Sequence, residues 1–239
     1  MKNFFVILLV LSVVLALSGC IIEVVDNGKQ DDINNGKHDD VNTGAAASVE
    51  NNNSTPDQTD VSSKIDIRSI PTIDNECICV FITNNSDVVI DELDVQTNFK
   101  DSNGVTIDLD TDGHDMILPG YTVVSRMECP NEYASFETTH SIELGVNPRY
   151  KNHSENCSVE TNIGNDCVII NLTNNGEVLI EEVEYNVIFY KGENIVEVCF
   201  SEDIRDLGVG ETRTLKQDAP YGVEFDRAEI YLNQAHTFG

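Results

Sequence analysis

The sequence predicts an all-β protein: two tandem antiparallel β-sandwiches that follow a secretion signal and a disordered polar linker. Beyond residue 64 apolar residues recur with a period of two, the strand period, and short runs of Asn, Asp, Ser and Gly interrupt them. One set of landmarks also returns at a constant offset of 90 residues. Cys77, Asn84-Asn85, Phe99, Gly120 and Pro130 recur as Cys167, Asn174-Asn175, Phe189, Gly210 and Pro220. Landmarks kept in one register mark an internal duplication. It divides the chain into copies over 65–146 and 155–239, joined by a linker over 147–154.

Each element has its own signal. Ile78, Val80 and Ile82 alternate onto one face of a strand, as do Val168, Ile170 and Leu172 in the second copy. The Asn-Asn turns end these strands. Next, Leu93, Val95, Thr97 and Phe99 stand opposite Asp94, Gln96 and Asn98, and Val183, Tyr185, Val187 and Phe189 oppose Glu184 and Asn186. That is the pattern of an antiparallel strand with one face in the core. Turns at Asp101-Ser102-Asn103-Gly104 and Lys191-Gly192-Glu193-Asn194 lead to a third strand. A bend at Leu118-Pro119-Gly120 or Val209-Gly210 introduces strands over 121–128 and 211–217, and strands over 136–144 and 225–232 close the copies. Short strands with regular turns in about 80 residues read as a β-sandwich.

This order of elements resembles the FxLYD-type immunoglobulin-like domains of prokaryotic surface proteins and lipoproteins, in tandem over most of residues 65–239. The aromatic-plus-Asp centre reads Phe99-Lys100-Asp101 in one copy and Phe189-Tyr190-Lys191 in the other, and Val209 stands in the place of Pro119. The resemblance implies immunoglobulin-like sandwiches, an extracytoplasmic location and a structural or interaction role. It supplies no catalytic residues.

The N-terminus carries a second resemblance. Lys2 precedes an apolar run over residues 4–17, shorter than the 20 or so residues of a comfortable membrane span, and the run ends in Leu17-Ser18-Gly19-Cys20. This is similar to the lipobox of prokaryotic lipoproteins. It implies a signal peptide over 1–19, cleavage between Gly19 and Cys20, and a lipid on Cys20 that anchors the chain to the cell membrane. Residues 20–64 then form an acidic low-complexity tether with almost no large apolar residue after Val25. Such a segment cannot bury enough surface to offset its chain entropy. An octapeptide echo, Asp26 to Ile33 and Asn34 to Val41, marks it as spacer. As a flexible chain it would span roughly 35–40 Å.

Function is bounded mainly by exclusion. With 42 acidic and 14 basic residues the net charge is -28, which repels nucleic acid. The five histidines, His38, His114, His140, His153 and His236, are dispersed, and no nucleophile elbow or zinc-protease motif is present. The expectation is no enzyme. Setting Cys20 aside, Cys77, Cys79, Cys129, Cys157, Cys167 and Cys199 are an even set in an exported chain. They permit three disulfides, with Cys77 or Cys79 to Cys129 the favoured pair, or free thiols in a reducing niche. Six Asn-x-Ser/Thr sites occur, at Asn52, Asn53, Asn84, Asn152, Asn156 and Asn171. Asp108, Asp110 and Asp112 precede Gly113 as in the first half of a calcium loop. Pro119 stands where the bidentate Glu belongs, so the expectation is an acidic loop with no cofactor, or weak Ca²⁺ binding at about 10⁻⁴–10⁻³ M. The leading expectation is a lipid-anchored cell-surface lipoprotein whose two modules act as spacer or protein-interaction unit, with a cell-envelope protein as partner. The alternative is a calcium-dependent adhesin or a solute-capturing lipoprotein.

Overall fold

A computed structural model describes residues 57–145 and 150–238. The expected signal peptide, the anchor Cys20 and the tether up to residue 56 lie outside the described residues. Of the segment expected as tether over 20–64, residues 57–64 are folded. Asp57 accepts the Thr59 N–H at 2.9 Å and caps a short helix α1, Gln58–Ser62, whose one apolar residue, Val61, is buried in the first core. A cap and a single apolar anchor suffice to dock this segment.

Thirteen strands follow among the described residues. β1 (Ile65–Pro71), β2 (Cys77–Asn84) and β5 (Thr122–Glu128) make one sheet in the order β1-β2-β5. β3 (Ile90–Lys100), β4 (Thr106–Ile117) and β6 (Ser135–Glu143) make a second in the order β4-β3-β6. The duplicated half repeats this with β8 (Cys157–Ile163), β9 (Cys167–Asn174) and β12 (Thr212–Asp218), ordered β12-β9-β8. Its other sheet contains β10 (Ile180–Lys191), β11 (Asn194–Leu207) and β13 (Arg227–Phe238), ordered β11-β10-β13. A short β7 (Tyr150–Asn152) adds to that sheet by pairing with the end of β13, Tyr150 against Phe238. All pairings are antiparallel.

Each half is a β-sandwich with its own core. Ile78, Val80 and Ile82 of β2 meet Leu93, Val95 and Phe99 of β3 in the first. Val168, Ile170 and Leu172 of β9 meet Val183, Val187 and Phe189 of β10 in the second. The alternation read from the sequence is therefore the core-facing set. β1 and β8 escape that reading because they are edge strands whose apolar residues do not keep a strict alternation, Ile65, Ile67 and Ile70 in one, Cys157, Val159 and Ile163 in the other. The described part of the expected linker, residues 150–154, is structured: it contains β7, and Asn152 Nδ2 donates to the Met116 carbonyl at 2.8 Å.

The duplication extends to hydrogen bonds. Asn84, at the end of β2, is fully buried; its Nδ2 donates to the carbonyls of Val88 and Ile117, both at 2.9 Å, and its Oδ1 accepts from the Ser86 N–H at 3.0 Å. Asn174, equally buried, donates to Val178 at 2.8 Å and Leu207 at 3.0 Å and accepts from the Gly176 N–H at 2.9 Å. Each carbonyl partner is shifted by the same 90 residues. Gly120 and Gly210, at φ 77° and 71°, turn back so that their N–H groups reach the Asn84 and Asn174 carbonyls at 2.7 and 2.9 Å. That left-handed conformation explains why both positions are Gly.

The two sandwiches pack face to face. Cys77, Cys79 and Phe81 project from β2 away from the first core and, with Val124 of β5, meet Ile188 and Tyr190 of β10 and Ile195 and Val198 of β11 in a third apolar cluster. Phe81 packs edge-on against Tyr231 at 5.5 Å, and the Arg68 guanidinium covers its other side at 4.3 Å. Polar bonds fix the register. The Asn233 side chain takes both main-chain groups of Val124, Oδ1 from its N–H and Nδ2 to its carbonyl, each at 3.0 Å, and Asn186 Nδ2 adds a bond of 2.7 Å to the same carbonyl. An amide thus stands in for a neighbouring strand on the edge of β5. The interface buries both faces of β2.

The clasp sets an expectation for stability. Asn84→Ala or Asn174→Ala strands one buried carbonyl, one half-buried carbonyl and a turn N–H, a buried group costing about 1–3 kcal/mol when left unpaired. Either variant should lose at least about 2 kcal/mol in denaturant unfolding, whereas Asn85→Ala, one position on at an exposed site, should stay within about 0.5 kcal/mol of the parent.

Candidate functional site

The residues singled out for calcium lie on a strand. Asp108, Asp110 and Asp112 belong to β4 and pair with Phe99, Thr97 and Val95 of β3. This corrects the expected acidic loop. The long strand continues through the segment because its opposite parity also pairs with β3, Leu109 with Asn98 and Thr111 with Gln96, while Ile107 lies at a bulge. Alternate strand residues stand about 6.5–7 Å apart, so the three carboxylates form a row and do not converge on a point as ligands of one ion must. Among the described residues no group of three His, Cys, Asp or Glu is placed to hold a metal ion. The carboxylates bond instead to main chain. Asp108, Asp110 and Asp112 each accept the N–H of the following residue, Leu109, Thr111 and Gly113, at 2.9 Å. Asp110 also accepts the Glu128 N–H at 2.7 Å, which ties β4 to β5 across the side of the sandwich.

Two residues further along β4, His114 completes that seam. Its Nε2 lies 2.7 Å from Ser125 Oγ on β5, and Asp112 Oδ2 is 3.7 Å from the same nitrogen. An acid, an imidazole and a hydroxyl in a row resemble a nucleophilic triad. The geometry argues against that chemistry, since a relay needs the acid on one ring nitrogen and the hydroxyl on the other, and here both address Nε2. Ser125 is moreover fully buried, where no substrate reaches it. The trio is a brace between the two sheets.

The cysteines divide among the three apolar clusters. Cys77 and Cys79 lie between the sandwiches, Cys129 packs on the first core, and Cys157 and Cys199 pack on the second. Cys167 is buried at the start of β9. All six are free thiols, so the favoured pairing of Cys77 or Cys79 with Cys129 is not formed. The strand pleat separates them. Cys77 shares a face with its ladder partner Glu128, and Cys129, the next residue, turns to the opposite side of the sheet. Burial pushes the thiols of Cys77, Cys157 and Cys199 up to about 11 and raises Cys79 and Cys129 as well. These are packing residues in the unreactive thiol form. Of the glycosylation sites, Asn84 and Asn152 use their Nδ2 groups in the bonds described above, and Asn84 is inaccessible.

A surface formed by both sandwiches lies elsewhere. The chain enters the first sandwich beside Asn84, where Lys64 O accepts the Asn85 N–H, and β1 carries it to the far end. There the β1–β2 loop meets the second sandwich, with the Ile73 N–H donating to Ile195 O at 2.9 Å. Beside this contact is a notch of about 320 Å³ lined by Ile73, Lys191, Val196, Val223 and Glu224. Ile73 is 62% exposed and the neighbouring Tyr221 is fully exposed. Neither residue carries a sequence signal, since both lie in loops, and only the packing of the two copies brings their loops together. No protein-family model matches this chain, and no curated protein matches its sequence.

The His114 brace makes stability depend on pH. Burial holds the imidazole below its ordinary value of 6.5, against the opposing effect of Asp112. As pH falls through 6.5 the unfolded chain takes up a proton that the folded chain refuses, so stability present above that pH is lost as pH falls towards the lower folded value. His114→Gln, which keeps a hydrogen-bonding group and cannot titrate, should flatten the pH dependence of unfolding between pH 7 and 5 by up to about 1.4 kcal/mol per pH unit. Parallel curves for parent and variant would assign the dependence to other groups.

Proposed function

We propose that this chain is a non-enzymatic, lipid-anchored surface protein whose two sandwiches act together as one interaction unit held off the membrane by a polar tether. The observation that carries the reading is the arrangement of the folded unit: the chain enters beside Asn84 and α1, and the loops around Ile73 and Tyr221 gather at the opposite end of the strands. The chain that follows Cys20 joins the folded unit at α1, at the end of the strands away from those loops. The segment Leu17-Ser18-Gly19-Cys20 and the Asn- and Asp-rich residues after it supply the anchor and tether in this reading. No helix among the described residues is long and apolar enough to cross a membrane.

The modules are best described as immunoglobulin-like. The order β1-β2-β5 facing β4-β3-β6, with the chain crossing between sheets after β2, β4 and β5, supports this reading. Fold by itself licenses no function, and the interaction role rests on the exposed loop end. A cell-envelope protein is the partner that fits an anchored module of this kind.

Two measurements test the proposal. Cys20→Ser should move the protein from the detergent phase to the aqueous phase on cloud-point partitioning, and retention in detergent would overturn the anchor. Cross-linking on intact cells should capture an envelope protein from the native chain, and Ile73→Asp with Tyr221→Ala should reduce that capture several-fold. Capture that depends on millimolar Ca²⁺ would favour the adhesin alternative.

A further inference from the structure

We propose that Asp108, Asp110 and Asp112 are a mask that keeps the outer edge of β4 from pairing with β4 of a second copy. β4 ends its sheet and is 12 residues long. An edge of that length offers a row of unpaired main-chain groups, and pairing with another chain is its natural fate. The hazard is increased here because Val105, Ile107 and Leu109 are all about half exposed or more.

The hydrogen bonds show how the edge is closed. Leu109, Thr111 and Gly113 are the residues whose N–H groups turn away from β3, and each of those three donors is taken by the carboxylate of the preceding Asp at 2.9 Å. The remainder of β4 is closed differently, by the second sandwich: Asn152 Nδ2 binds the Met116 carbonyl and β13 packs alongside. Mask and neighbour together cover the strand from residue 109 to its end. Charge adds to the effect. In a symmetric antiparallel pair centred on Thr111, Asp110 of one copy would stand opposite Asp112 of the other, and like charges directly opposite are destabilising.

The duplicate half supports the assignment by contrast. Ninety residues on, Asp108 and Asp110 are replaced by Val198 and Phe200 on β11, and Asp112 alone keeps an acid, as Glu202. The edge of β11 already has a neighbour at its start, where Ile195 O accepts the Ile73 N–H of the first sandwich, and the full row of three acids is not repeated there.

The test uses the full chain carrying Cys20→Ser, so that no lipid contributes to association, with and without Asp108→Thr and Asp112→Thr. Asp110 is retained because it also binds Glu128. Sedimentation velocity should give a monomer for the parent and, for the double variant at the same concentration, dimers and larger species, with association strengthened at least tenfold. Adding Thr111→Pro, which deletes an edge N–H and no bond to β3, should return the variant to monomer. A double variant that stays monomeric with unchanged circular dichroism would overturn the proposal, as would association that Thr111→Pro leaves in place. Should the double variant fail to fold, hydrogen exchange in the unaltered chain decides: the amides of Leu109, Thr111 and Gly113 should exchange at least tenfold slower than in an unstructured peptide, and exchange at the peptide rate would refute the mask.

Discussion

The buried amide at the end of the second strand of each copy is the constraint on which the rest of the fold depends. Where a chain leaves one sheet of a sandwich for the other, several main-chain groups lose their ladder partners in a place water does not reach. Asn84 and Asn174 resolve this with one side chain each. The two Nδ2 protons and the carbonyl oxygen join the turn after the strand to the end of the fourth strand in the opposite sheet. No apolar residue could do this, and Asp would lack the donors. With that corner fixed, the alternating residues on both sides have only one register that puts Phe99 and Phe189 in their cores.

A second consequence comes from the unused face of the first sheet. Once Ile78, Val80 and Ile82 point inward, Cys77, Cys79 and Phe81 point outward, and an apolar outer face needs a cover. The second copy supplies it through Ile188, Tyr190, Ile195 and Val198. Asn233 and Asn186 then pin the two halves together at Val124. The duplicated modules are a welded pair, unlike beads on a flexible string, and loops of both halves end up beside one notch.

The excess of acid has specific placements. Some carboxylates cap turns or helix starts, as Asp57 and Asp101 do. Three more occupy the edge of β4, and one of these also ties two sheets together. A row of alternate aspartates reads in one dimension as the start of a cation loop. On a strand it becomes a line of acceptors beside a line of donors, and its chemistry changes with that geometry.

The sequence by itself determined the strand class and the duplication, because period-two patterning and a constant 90-residue offset are local and one-dimensional properties. It also determined which residues face each core, from Ile78 through Phe99 and from Val168 through Phe189, since side-chain direction in a strand alternates strictly. Only the tertiary structure decided what the other parity does. Whether Cys77, Cys79 and Phe81 meet water or a second sheet depends on residues more than a hundred positions away. It likewise decided that Tyr150 to Asn152 are a strand and not a linker, because three residues have no pattern of their own and gain their partners from β13. The meaning of Asp108, Asp110 and Asp112 belongs to the same class: their role follows from being at the end of a sheet, and position within a sheet is written in no single segment of the chain.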